Sequence, residues 1–133
     1  MSPIFKKLTD VRHELLRLHK ALLDDQRIAY ERAHGVVTPA EFLQVIINDP
    51  SFDWVHRLSE LVVQIDEQME DTENILTAES AKVLLDQVKT LLTPAETGEG
   101  FARAYFDAIQ RNPEIAMMQG QIRKLIAAPL VAT

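Results

Sequence analysis

Three times along this chain of 133 residues an acid stands three places before a histidine: Asp10 and His13, Glu31 and His34, Asp53 and His56. On a helix that spacing puts a carboxylate and an imidazole on one face, the arrangement with which di-iron bundles line their cores. Metal chemistry of that kind needs the pairs to point inward and further inward carboxylates to complete the ligand set. The apolar pattern argues against it. With Leu8, Leu15 and Leu22 at heptad position a, and Val11 and Leu18 at d, His13 and His34 both fall at f, opposite the seam. His56 lies off the stripe of Trp54, Leu58, Leu61 and Ile65, so all three histidines are expected to face water.

One acid does sit on an apolar face. Asp25 occupies the d position after Leu18. A buried carboxylate needs a partner, which Arg27 or a neighbouring helix could supply. The simpler reading is that Asp25 marks the end of the core. The competing one makes it the polar floor of an internal pocket, with the Tyr30 or Tyr105 hydroxyl. Nucleophilic catalysis has no support: Ser2, Ser51, Ser59 and Ser80 lie at helix starts or on helix surfaces, with no elbow motif around them. Gly98-Glu99-Gly100 is too short for a phosphate-binding loop and places an acid where phosphate would sit. No catalytic, metal or cofactor residues are assigned.

The elements that carry these residues are helices. Ile4, Leu8, Val11, Leu15, Leu18 and Leu22 advance in alternating strides of four and three, predicting a helix from Pro3 to about His34 with Gly35 as its stop. At 1.5 Å per residue it would be roughly 45 Å long. Leu16, Leu23 and Tyr30 are expected to widen its apolar face. Thr38-Pro39-Ala40-Glu41 is a capping-box start for a short helix to Asn48. Asp49-Pro50 then predicts a bend into a helix carrying Trp54, Val55, Leu58, Leu61, Val62, Ile65 and Met69. The acidic run 66–73 opposes that helix's dipole, so fraying is expected around 70–76.

Thr77 caps the next helix, with Ala81, Leu84, Leu85, Val88, Leu91 and Leu92 on its face. Thr93-Pro94-Ala95-Glu96 repeats the earlier start signal letter for letter, but Gly98 and Gly100 argue against a long unbroken helix through that point. Helices follow from Phe101 to Arg111 and, after Asn112-Pro113, along Ile115, Met118, Ile122, Leu125 and Ile126. The two TPAE segments read as two helix-bend-helix units reusing one capping chemistry, with duplication as the rival reading.

Composition sets the class. The chain is 47% hydrophobic and, at this length, large enough to bury roughly 68% of its unfolded surface as one domain, residues 1–133. Few alternating β-branched runs exist, so the expectation is all-α, a four-helix-bundle-like domain with an extra short helix and proline-marked bends. No cysteine is present, which excludes disulfides and thiolate metal sites and fits a reducing compartment. No signal-like or membrane-spanning run appears; Leu125–Ala132 is apolar but too short. A cytoplasmic protein is expected. The net charge of −6 divides into +2 over residues 1–34 and −8 over the rest, without the concentrated basic face that a nucleic-acid binder needs.

Trp54, beside Phe52, and Tyr105 and Phe106 are candidates for an apolar pocket or interface. Met117 and Met118, adjacent on a helix, cannot both face one core, so one of them is a candidate contact with a partner. Leu18–Asp24, Asp49–Trp54 with Leu58–Leu61 and Ile65-Asp66, and Leu92–Glu96 with Gly98–Phe101 resemble an uncharacterised family of small bacterial all-helical proteins. That resemblance implies a bacterial helical bundle and carries no activity. The expected function is a non-enzymatic interaction or structural module, a homodimer through the first or last helix, the alternative being a binder of a small apolar ligand between helices.

Overall fold

In a computed structural model of the chain the structure describes residues 2–130. Met1 and residues 131–133, among them Val131 and Ala132 of the apolar C-terminal stretch, lie outside the described residues. Helix α1 (Pro3–His34) begins where the Ser2 hydroxyl accepts the Phe5 amide at 3.4 Å, with proline in the first turn. It ends at Gly35, whose φ of 91° takes the chain out of the helix while its amide still donates to the Glu31 carbonyl at 2.8 Å. Leu8, Val11, Leu15, Leu18 and Leu22 are all fully buried. Burial of each such side chain contributes about 1.5–3 kcal/mol, so this stripe is the spine of the core.

The expected widening of that stripe needs correction: Leu16 is exposed, while Leu23 and Tyr30 are half-buried. Each follows an a residue directly and so turns about 100° away from the seam.

Helix α2 (Pro39–Asn48) starts with a complete capping box: the Thr38 hydroxyl accepts the Glu41 amide at 3.2 Å, and the Glu41 carboxylate accepts the Thr38 amide at 3.3 Å. The bend at Asp49 is a 3-10 turn over Pro50–Phe52, with the Asp49 carboxylate accepting the Ser51 amide at 2.9 Å. Helix α3 (Asp53–Glu70) buries Val55, Leu58, Leu61, Val62 and Ile65. Where fraying was expected, α3 ends at Glu70 and the chain turns, the Asp71 carboxylate accepting the Glu73 and Asn74 amides, each at 2.9 Å. Those bonds hold its pKa below the usual carboxylate range.

Helix α4 (Ala78–Leu91), capped by Thr77, is followed by the second TPAE, where the break expected at Gly98 and Gly100 is present but the reuse of the capping chemistry needs correction. Residues 93–96 start no helix. The Thr93 hydroxyl turns back to donate to the Lys89 carbonyl at 2.7 Å, and the Ala95 amide donates forward to the Ala102 carbonyl at 3.0 Å. Gly98 (φ 91°) and Gly100 (φ 82°) then carry the loop into α5 (Phe101–Arg111). Asn112 caps α6 (Pro113–Ala127) through the Glu114 amide at 3.0 Å, the same aspartate/asparagine-proline device as at Asp49.

Among the described residues the fold is all-α, six helices with no strand. Helix α1 lies at the centre, packed on α3, α4 and α6, while α5 bridges α3 and α6. Polar contacts fix the directions. Arg12 pairs with Asp66 and Tyr30 packs near Phe52, so α1 and α3 run antiparallel. Lys7 bonds the carbonyls of Ile126 and Ala128, and Asp25 meets Arg111 and Asn112, so α1 and α6 do too. The C-terminal end of α1 is covered within the chain: buried Phe52 lies 5.6 Å from the Phe42 ring, and the Arg27 guanidinium sits 4.6 Å over Phe42.

Candidate functional site

The five candidate residues separate into three settings. Trp54, half-buried on α3, meets Phe101 edge-on at 5.5 Å, and Phe101 packs on Tyr105 at 5.3 Å. The structure therefore joins Trp54 to Tyr105 through an aromatic that the sequence reading had placed only on a helix face. These rings fill space against each other. Phe106, next on α5, is half-buried. Met118 is buried and Met117 is exposed, dividing the adjacent methionines between core and solvent.

Behind the rings lies a polar relay. The Tyr105 hydroxyl is fully buried and donates to Gln119 Oε1, and Gln119 Nε2 donates to the Leu92 carbonyl at 2.7 Å. Burial holds the phenol protonated far beyond its ordinary range. Gln119 is the one buried polar or charged residue among those described. It gives the Leu92 carbonyl, at the C-cap of α4, a partner where no further helical turn supplies one. Its signal was present in the sequence: it sits four residues after Ile115 and three before Ile122, on the stripe itself.

The histidines are not all solvated. His13 and His34 are exposed, on the face predicted. His56, expected in water, is half-buried, because α2 folds back over it and His56 Nε2 donates to the Ile46 carbonyl at 2.9 Å. His19, half-buried at heptad position e beside the seam, lies near enough to His56 to feel its charge. Burial, then His56, lowers the His19 pKa and keeps its imidazole neutral. Among the described residues no three histidine, aspartate or glutamate side chains converge as a metal site would require. Asp25, read as the end of the core, is a bound carboxylate only 10% exposed: Arg111 Nε donates to it at 2.8 Å and Asn112 Nδ2 at 3.3 Å.

The most distinctive surface belongs to α2. Six of its ten residues are apolar, yet none is buried. Leu43 (57% exposed) and Ile47 (61%) stand four residues apart on one face, and Val36 (89%) precedes the helix. Grooves also run between α3 and α4, past Arg57, Val83 and Leu91, and between α1 and α6, where Met118 contributes to the wall.

The class of protein so defined is a small all-α domain with an internally satisfied core and one apolar helix face left uncovered. No family model matches the chain, and neither the curated proteins nor the solved structures include a match to it. No helix among the described residues is long and apolar enough to cross a membrane.

Proposed function

We propose that the chain is a non-enzymatic interaction module of the cytoplasm that pairs with a second copy of itself through α2. The observation that carries this reading is the uncovered face of α2. A helix rich in Phe, Leu, Val and Ile normally forms because it buries a stripe; here Phe42, Val45 and Ile46 are half-buried, and a second apolar face, Leu43 and Ile47, stays in water. The first and last helices, where a dimer contact was expected, spend their stripes inside the protomer and leave Leu16, Ile28 and Met117 exposed among their large apolar residues.

A second copy fits because α2 has one charged residue, Glu41, whose carboxylate is folded back on Thr38. Two such faces related by a two-fold axis oppose no like charges. A ten-residue helix offers less than the roughly 1,200–2,000 Å² buried in standard interfaces, so the dimer is weak and dissociates on dilution. Sedimentation equilibrium across the micromolar range reads this directly. The mass rises from 15.1 kDa towards twice that value, and Leu43→Glu with Ile47→Glu abolishes the rise. Val63→Glu, on exposed α3 surface, leaves it intact. A mass fixed at 15.1 kDa throughout removes the proposal.

A further inference from the structure

Between α4 and α6 lies a cavity of ≈ 320 Å³, at the small end of the roughly 300–1,000 Å³ typical of ligand sites. Its floor is apolar: Leu92 and Ile122 are buried and Ile126 half-buried. Lys89 on α4 and Arg123 on α6 stand at its rim, with Asp86 one turn before Lys89. Neither cation forms an ion pair with another described residue, unlike seven other cations of the chain.

A cation in or near a last helical turn, as Lys89 is in α4 and Arg123 just before that of α6, ordinarily answers the negative carbonyl end of the dipole. At this groove that demand is met by other groups. Gln119 takes the Leu92 carbonyl, the Thr93 hydroxyl takes that of Lys89, and Lys7 reaches from α1 to those of Ile126 and Ala128. Lys89 and Arg123 are left with their donors unspent above an apolar floor, on a chain whose overall charge is −6.

We infer that this groove binds an amphipathic monoanion, a carboxylate carrying a short alkyl chain: the carboxylate between Lys89 and Arg123, the chain along Leu92, Ile122 and Ile126. Arginine and lysine together suit this head group, since the guanidinium can grip both oxygens while the ammonium adds point charge. Asp86 opposes it and confines the head group to the Lys89 end. This site is separate from the α2 face and stands whether or not the chain dimerises.

The probe is octanoate, titrated into isotopically labelled protein and followed by amide chemical shifts, with 1-octanol as the uncharged control. Saturable shifts are expected in residues 86–93 and 122–127. Lys89→Met and Arg123→Met each weaken octanoate roughly two- to fivefold, the range for exposed charge pairs, and leave octanol unchanged. Asp86→Asn tightens octanoate. Because all three positions are exposed, the variants keep the wild-type spectrum elsewhere. The inference is overturned by shifts outside the groove, by no saturation, by equal affinity for octanoate and octanol, or by indifference to both cation variants.

Discussion

Replacing Gln119 by methionine keeps the volume and shape of the side chain and removes both of its hydrogen bonds. Two buried groups lose their partner at once, the Tyr105 hydroxyl and the Leu92 carbonyl. An unsatisfied buried polar group costs about 1–3 kcal/mol, so the single variant is destabilised by about 3 kcal/mol. For a domain of this size that lowers the melting temperature by about 10 °C. Tyr105→Phe alone leaves Gln119 bonded to Leu92 and strands only its Oε1, at a cost of about 1–2 kcal/mol. The double variant strands the Leu92 carbonyl alone. It should therefore be more stable than Gln119→Met by about 1–2 kcal/mol, although it carries one substitution more. Thermal and urea unfolding followed by circular dichroism measure all four corners of this cycle. A double variant no more stable than Gln119→Met would show that the relay is not a coupled, water-free unit, and the reasoning would fail.

Two titrations should leave opposite marks on stability. Burial lowers the His19 pKa below its ordinary 6.5, so the unfolded chain binds the proton more readily; stability falls as pH drops through 6.5, and His19→Leu flattens that slope in acid urea titrations. Tyr105 is raised above its ordinary 10.0, so stability also falls as pH climbs past that value, and Tyr105→Phe removes the alkaline slope. Thr38→Ala should cost α2 about 1 kcal/mol, visible as faster amide exchange at Glu41, while Thr93→Ala accelerates exchange at no helix start. Arg111→Ala should cost about 1–2 kcal/mol in chemical unfolding because Asp25 stays enclosed, and Asp25→Ala less because a freed Arg111 is half in water.

The reach of the sequence is clearest where a signal depended only on nearby residues. The α1 stripe, the Gly35 stop and the bends at Asp49 and Asn112 each follow from a residue and its neighbours within one turn. Where the outcome depends on a distant element, the same logic fails. His56 was assigned to water from its own helix, and it is α2 that shields it. Gln119 stood on an apolar stripe in full view. Its role needed the end of α4 and a tyrosine on α5 to be brought to it, and no periodicity supplies those contacts. Asp25 needed Arg111, which lies 86 residues away in sequence.

The two TPAE segments isolate this limit in four identical residues. After Glu41 the chain continues Phe-Leu-Gln-Val, nothing interrupts it before Asn48, and the capping box at Thr38 closes. At Thr93 the glycines at 98 and 100 fall within what would be the second turn, where each costs about 1 kcal/mol relative to alanine. A capping box contributes a similar amount, so it cannot outweigh two glycines and the loss of the Ala95–Ala102 bond that carries the chain into α5. The cap is a permissive signal, and the next turn decides. Apolar composition is permissive in the same way. It states that α2 can bury a face, and the distant Phe52 and Arg27 decide which one: Phe42, Val45 and Ile46 are half-buried, while Leu43 and Ile47 stay exposed.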